Sequence, residues 1–320
     1  MSKVSYSIII PTWNGEELLR KNLPKVLEVV PSGAEVIIIE NGSNDASMEY
    51  LRKLTRQLGG SILEIKEISA KRISDEQSEL MSNFTVISND RNLGFIGGCN
   101  QGVEKAKGDY VVLLNNDVVP ENDFLGPAVS HFNDNEVFAV SFNEVNGDGG
   151  WADIFWVDGF FNYSPGEKTD QAHISGWASG GSAIFRKSMW NKLKGFDPMF
   201  DPFYWEDTDI SYRAWKLGWK IVWEPEARVI HEHESTISKI DQNYVNRVKE
   251  RNQLLFIWKN ITDNDLRFKH NLGLIQRVLT GPNYLKVIRD AKKRYRQFDC
   301  PKIDGYSRTD KEIFRLFDKV

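Results

Sequence analysis

The chain is poor in cysteine. Its 320 residues hold two, Cys99 and Cys300, which give neither a disulfide framework nor metal-knuckle spacing and fit structural thiols in a reducing cytoplasm. Also missing is any apolar run approaching the roughly 20 residues that span a bilayer, as is a charged-then-apolar leader, because Met1 runs almost directly into a strand pattern. Secretion and membrane spanning are therefore not expected. There is no excess of positive charge either. The formal net charge is −4, which argues against a general nucleic-acid binder. Tryptophan, by contrast, is plentiful: of ten residues, several fall between Trp151 and Trp223, where they would line a sugar or acceptor site or simply fill core.

The organising stretch is Tyr110–Leu114, an unbroken apolar run that ends abruptly in Asn115, Asn116 and Asp117. Short apolar runs bounded by turn residues are the pattern of parallel strands covered on both faces, and ligands of open α/β sheets bind beyond the carboxyl ends of such strands. Asp117 is thus placed at a site edge, unless these polar residues only form the turn before Pro120. Two βα units precede it. Ser7–Pro11 predicts a strand, Thr12-Trp13-Asn14-Gly15 a turn and 16–30 a helix; Glu35–Ile39 predicts a strand, 40–45 a loop and Ser47–Leu58 a helix. Alternating units of this kind predict an α/β domain with a parallel sheet and right-handed crossovers, so the three polar loops open on one edge. Residues 65–82 read as a charged surface excursion before a strand at Phe84–Ser88. The glycine-rich run from Asn92 to Gly102 opens a helix and offers backbone N–H groups to a diphosphate, although it is neither GxGxxG nor GxxxxGK[ST].

Beyond Asp117, residues 124–132 read as helix and Val137–Phe142 as strand, followed by an irregular Gly- and Trp-rich region at 146–177 expected to face an acceptor. A strand over 179–185, with close backbone approach at Gly180, and a helix at Lys187–Leu193 come next. Glu206, Asp207 and Asp209 then crowd the entry of a helix expected at 210–217. One acid there would merely cap the helix, whereas three beside aromatics exceed that need, and partial desolvation next to another acid suits a general base. Short strands at 220–223 and 228–230 deliver His231-Glu232-His233-Glu234, where a histidine at a strand end can join a carboxylate from another strand around a divalent ion bridging phosphates. Helices are expected over 245–259, 265–279 and 284–298. The last is basic and amphipathic, which suits either packing on the main domain or a peripheral contact with an anionic membrane surface.

Taken in order, Pro11-Thr12-Trp13-Asn14, Glu40–Asp45, Asn92-Leu93-Gly94-Phe95 with Gly98 and Asn100, Asn115-Asn116-Asp117, Gly195-Phe196-Asp197, Glu206–Asp209 and His231 resemble family 2 glycosyltransferases, most nearly the rhamnosyltransferase-like branch. The resemblance spans about 5–235 and extends to Arg251-Asn252 and Lys259-Asn260. It implies a GT-A fold: a Rossmann-like, mostly parallel central sheet flanked by helices, here with a C-terminal helical extension. Residues 1–236 would form the transferase domain, with 1–117 binding the nucleotide sugar and 118–236 the acceptor, and 237–320 the extension. By position, Pro11, Thr12, Asn14, Glu40 and Asn41 match the base- and ribose-holding loops, and Arg91, Asn92 and Asn100 the donor-side loop and helix. Asn116-Asp117 matches the DxD element. Asp117 and His231 then match ligands of a divalent metal, Mg²⁺ or Mn²⁺, and Asp207, paired with Glu206, the general base. Trp177, Gly180, Trp205 and Asp209 are expected on the acceptor side.

Two departures stand out: Glu40 replaces the family's usual Asp, and the DxD element keeps one carboxylate. No QxxRW-like motif follows Glu206-Asp207, so transfer of a single sugar is expected rather than polymerisation. The resemblance implies inversion at the anomeric carbon and a nucleotide-diphosphate-sugar donor, with dTDP-rhamnose or a UDP-sugar favoured. A glycan or lipid-linked oligosaccharide of a bacterial cell surface is the expected acceptor, with the protein cytoplasmic and at most peripheral on the inner face of the plasma membrane. Two rival readings meet objections. A sugar nucleotidyltransferase would carry a glycine-rich basic loop after the first strand, which Thr12-Trp13-Asn14-Gly15 is not, and a non-catalytic binding module would be expected to lose the intact Glu206-Asp207 pair.

Overall fold

The computed structural model describes residues 5–65, 83–147, 150–167, 169–232, 240–298 and 305–318. The charged excursion expected at 65–82 lies outside these beyond Ile65, as do Cys300, His233, Glu234 and the expected boundary at 236/237. The chain begins β1 (Tyr6–Thr12), α1 (Glu16–Val29), β2 (Glu35–Glu40), α2 (Ser47–Leu58), β3 (Ser61–Ile65), β4 (Phe84–Asn89), α3 (Gly94–Lys105) and β5 (Tyr110–Leu114). It continues through β6 (Val118–Pro120), α4 (Leu125–Ser130), β7 (Val137–Glu144), β8 (Ala152–Val157), β9 (Phe160–Pro165), β10 (His173–Ile174), β11 (Ser182–Arg186) and α5 (Lys187–Leu193). The remaining elements are α6 (Glu206–Lys216), β12 (Lys220–His231), α7 (Gln242–Asn260), α8 (Asn264–Thr280), α9 (Tyr284–Tyr295) and α10 (Asp310–Arg315).

One sheet organises the molecule, in the order β10-β12-β7-β11-β5-β1-β2-β4-β3, with β6 also paired to β12. Strands β3, β4, β2, β1 and β5 are mutually parallel; β11 runs against β5 and β7, and β12 runs with β7. The carboxyl ends of β1, β2, β4, β5, β7 and β12 therefore share an edge with the amino end of β11. Ile8–Ile10 and Val36–Ile39 are buried because helices cover both faces of the sheet. On one face α1 turns Leu19, Leu23 and Val26 into the core. On the other, α3 lies close against β1 and β2 because it is rich in glycine. A Cβ on Gly102 would sit 2.4 Å from Ile9 Cγ2, and one on Gly98 would sit 2.9 Å from Asn41 Nδ2. Those glycines serve packing.

Several regions differ from expectation. The irregular stretch at 146–177 contains a β8–β9 hairpin closed by Asp158 and Gly159, both left-handed (φ 52° and 81°), as a two-residue primed turn requires. The strands expected at 220–223 and 228–230 are a single β12 interrupted by an irregularity between Glu224 and Arg228. Helix α6 begins at Glu206, so the acids lie inside its first turn. In α9 the apolar stripe is spent on the protein: Val287 and Ala291 are buried, and Tyr284, Ile288 and Tyr295 pack against the core. Among the described residues no helix is long and apolar enough to cross a membrane.

Candidate active site

The loops after β1, β2 and β4 meet at the shared edge. Asn41 N–H donates to the Thr12 carbonyl (3.0 Å), Asn14 N–H to Ser43 Oγ (2.9 Å) and Asn44 N–H to Asn14 Oδ1 (2.9 Å). Gly42, at φ +65°, lies so close to Arg91 that a Cβ would meet its backbone at 2.8 Å, while Arg91 itself is exposed. Glu40 is buried and accepts from Ser43 N–H (2.6 Å), so its carboxylate shapes the loop. Asn89 links Asn41 Oδ1 (3.0 Å) to Gln101, and Asn92 Oδ1 accepts from Gly94 N–H (2.7 Å) at the start of α3. Pro11 backs this region near Gly98.

The end of β5 joins that group to a second cluster. Asn116 donates to Thr12 Oγ1 (3.0 Å), and Glu232 N–H donates to the carbonyl of buried Asp117 (2.9 Å), drawing in the end of β12. His231 stands between two carboxylates, with Nε2 3.2 Å from Asp117 and Nδ1 3.1 Å from Glu144. Burial opposes its charged form, but hydrogen bonds to Asp117 and Glu144 outweigh that and push its pKa up to about 10. Ser182 Oγ donates to the other Glu144 oxygen (2.7 Å). Among the described residues no group of three or more His, Cys, Asp or Glu side chains is set out as a metal cage. Asp117 and His231 would nonetheless offer a carboxylate oxygen and an imidazole nitrogen to a divalent ion, which would neutralise charge on a bound diphosphate. The carboxylate on the far nitrogen of His231 is the outer partner that metal-bound histidines ordinarily have.

Gly180 and Gly181, leading into β11, separate this cluster from the acids of α6. A Cβ on Gly181 would lie 2.3 Å from Asn115 Nδ2, and Gly180 N–H donates to Asp207 Oδ2 (3.4 Å). Asp207 is half-buried, and Thr208 N–H holds its other oxygen (2.7 Å). Tyr204 and Trp205 precede the acids in left-handed backbone (φ 68° and 80°), a conformation that bulky residues adopt only under strain. Burial raises the pKa of both acids. For Glu206 the charges of Asp207 and other nearby acids add to a shift well above the carboxylate range, and Glu206 Oε2 has no hydrogen-bond partner. Of the two, Glu206 is pushed further toward its neutral form.

Not every expected residue belongs to this group. Asn100 exchanges two hydrogen bonds with the backbone of Phe196 (2.8 and 2.9 Å), which fastens the Gly195-Phe196-Asp197 turn to α3. Asp209 is completely buried, bound by Arg213, Lys259 and Asn260, and so is a core residue and not an acceptor contact. Trp205 packs its indole on Phe161 and Phe256. Half-buried Trp177 meets Tyr163 edge-on (4.9 Å between ring centres). Tyr163, on β9, went unanticipated; burial and the nearby Asp207 charge push its hydroxyl pKa up. Glu144 was also missed, although a carboxylate at a strand's carboxyl end was the signal that singled out Asp117.

The profile of Glycosyl transferase family 2 matches residues 7–193. Among relatives, the pre-mycofactocin glycosyltransferase of Mycobacterium tuberculosis is 24% identical over 213 residues, 65% of this chain but 44% of that protein, so the chain spans under half its relative's length. The N-acetylglucosaminyl-diphospho-decaprenol L-rhamnosyltransferase of the same organism is 39% identical over 56 residues, 18% of either chain. In fold, the chain is similar to GalNAc-T7 bound to UDP, GalNAc and Mn²⁺ (TM-score 0.61, 16% identity, covering 98% of this chain and 54% of that one). It is also similar to the mannosyltransferase PcManGT of Pyrobaculum calidifontis with GDP-Man and Mn²⁺ (TM-score 0.54, 16% identity, 91% and 82% covered). With a GT-A-like sheet and a family profile that covers more than half its length, the chain belongs to glycosyl transferase family 2.

Proposed function

We propose that this transferase moves one sugar from a nucleotide-diphosphate donor to an acceptor hydroxyl with inversion at the anomeric carbon. The observation that carries this reading is the Gly180-Gly181 turn, which holds Asn115, two residues from Asp117, on one side and Asp207 on the other. Inversion by single displacement needs those two functions on opposite sides of the anomeric carbon. In this reading Asp207 takes the acceptor proton as the new C–O bond forms and the bond to the diphosphate breaks, the diphosphate leaving with the electron pair. A divalent ion held by Asp117 and His231, when bound, would supply charge neutralisation to that leaving group. Thr12, Asn14, Asn41, Arg91, Asn92 and Asn116 line the donor side, and Tyr163 and Trp177 the acceptor side.

The same reading assigns 1–117 to the donor half, 118–236 to the acceptor half and 237–320 to a helical extension. We favour dTDP-rhamnose or a UDP-sugar as donor and a cell-surface glycan precursor, free or lipid-linked, as acceptor, in line with the relatives' names. The cytoplasmic assignment rests on cysteine usage, and a peripheral membrane contact through 284–298 on its charge. Thermal stabilisation by UDP-, dTDP- and GDP-sugars, with and without Mn²⁺ or Mg²⁺, tests the donor site. A ligand at about 100 times its Kd should stabilise the fold by about 2.7 kcal/mol. The expected result is a metal-dependent shift with one nucleotide that disappears in Asp117→Ala; a shift unchanged in that variant would displace the diphosphate site from Asp117.

A further inference from the structure

We infer that α8 carries the apolar insertion surface by which this protein sits on an anionic lipid bilayer, with α9 supplying the charge. This rests on the membrane contact placed at 284–298 and moves the inserting element to the preceding helix. Phe268, Leu272, Ile275 and Leu279 follow the 4-3-4 spacing of a single helix face, and they are 63%, 51%, 57% and 77% exposed. Isolated exposed leucines are ordinary, but four large side chains in one stripe are not. The opposite side of α8 is already used: Leu266, His270 and Gly273 are buried, with a Cβ on Gly273 2.4 Å from the Asp158 carbonyl. The outward stripe therefore contributes nothing to the core.

Charge complementarity identifies the occupant. Residues 264–298 hold nine Lys and Arg against two acids, a formal +7 in a chain whose total is −4. Both acids are occupied, Asp265 by Lys311 and Asp290 by Arg247. Exposed Arg267 and Lys269 on α8, and Lys286, Arg289, Lys292, Lys293 and Arg296 on or beside α9, make no ion pair among the described residues. Since the apolar side of α9 is packed inward, that helix can offer lipid its charge and Leu285, 49% exposed, but no apolar stripe of its own. Stable attachment at a bilayer surface takes both an apolar and a cationic contribution, and the two adjacent helices divide them. A second copy docked symmetrically through the same face would bring the same positive charge to the contact and be repelled.

Co-sedimentation of the full chain with phosphatidylcholine vesicles and with phosphatidylcholine–phosphatidylglycerol vesicles tests this. Binding is expected to the anionic vesicles only, weakening with salt. It should fall by roughly tenfold or more in Leu272→Glu/Ile275→Glu and in Lys292→Glu/Lys293→Glu, with the thermal midpoint unchanged. Leu272→Ala/Ile275→Ala, which adds no charge, should lose affinity in the same direction. If the α9 variant loses binding while both α8 variants keep it, the contact at 284–298 survives and insertion by α8 is overturned. If the unaltered chain binds neither vesicle, both fail. Self-association abolished by the α8 substitutions, without vesicle binding, would assign the stripe to a second copy and overturn the inference.

Discussion

At the residue scale the sharpest question is how Glu206 and Asp207, adjacent in sequence, divide one proton. Two neighbouring buried carboxylates do not both ionise readily, and environments that push such a pair apart assign their roles. Glu206 is the more deeply buried, with Oε2 unpartnered, whereas Asp207 is held by the N–H groups of Gly180 and Thr208, which favour its charged form. Asp207→Asn should lower kcat by about 10²–10⁴-fold, the usual contribution of a general base, while leaving donor-induced stabilisation near that of the unaltered protein. Glu206→Gln imitates the neutral acid and should retain most activity. The raised pKa of Asp207 also sets a direction: the base works only when ionised, so activity is lost as pH falls through that value, at a higher pH than an ordinary aspartate would give. A pH profile of kcat/KM checks this. Collapse of activity in Glu206→Gln with survival in Asp207→Asn would exchange the two roles.

At the scale of elements, α6 presents Asp207 to the Gly180-Gly181 turn while Asp209, two residues on, points into the protein. Three acids at a helix start look alike in sequence; Asp209 is set apart by Arg213 one turn on and by the packing of α7, about 50 residues later, where Lys259 and Asn260 meet it at 2.8 Å. Burial alone would raise the pKa of Asp209, but Arg213, Lys259 and Asn260 reverse this and lower it. Its contribution to stability is thus in full force above the unfolded value of about 3.9 and is lost as pH falls through the depressed folded value. Asp209→Ala leaves Arg213 buried without its anion, while Lys259 keeps Asp197 (2.6 Å), and should cost about 3 kcal/mol, the lower end for breaking a buried pair, read from urea unfolding. A cost below about 1 kcal/mol, typical of an exposed pair, would show that the cluster does not anchor α6. The same locality explains what sequence reasoning reached. Strands β1, β2 and β5 were legible because both faces are covered and their apolar runs are continuous. The β8–β9 hairpin was not, because Phe155, Val157 and Tyr163 face solvent and blur the pattern, although Asp158-Gly159 was a hairpin signal in plain view. Glu144 stayed hidden because its partners, Ser182 and His231, come from strands that only the fold makes neighbours.

At the scale of the whole molecule, α10 returns to lock the back of α6. Asp310 at the start of α10 accepts from Tyr212 Oη (2.6 Å), from the N–H groups of Thr262 (2.7 Å) and Asp263 (2.8 Å), and pairs with Lys216 Nζ (2.6 Å). It thereby ties α6 to the junction of α7 and α8 through one carboxylate. Lys216 is 1% exposed and Asp310 fully buried, so neither can turn to water when its partner is removed. Asp310→Ala should therefore destabilise by about 3–5 kcal/mol, the range for stranding a buried charge, whereas replacing both partners by apolar residues of similar volume is often neutral or stabilising. Lys216→Met/Asp310→Leu should accordingly be more stable than Asp310→Ala, by more than the uncertainty of linear extrapolation in urea. The comparison separates two accounts of the lock. If the double variant recovers stability, the ion pair matters because its halves cannot be left alone, and apolar packing can hold α10 against α6. If it is no better than Asp310→Ala, the bonds that Asp310 accepts from Tyr212, Thr262 and Asp263 hold the helices together, and the C-terminal helix positions Asp207 through them.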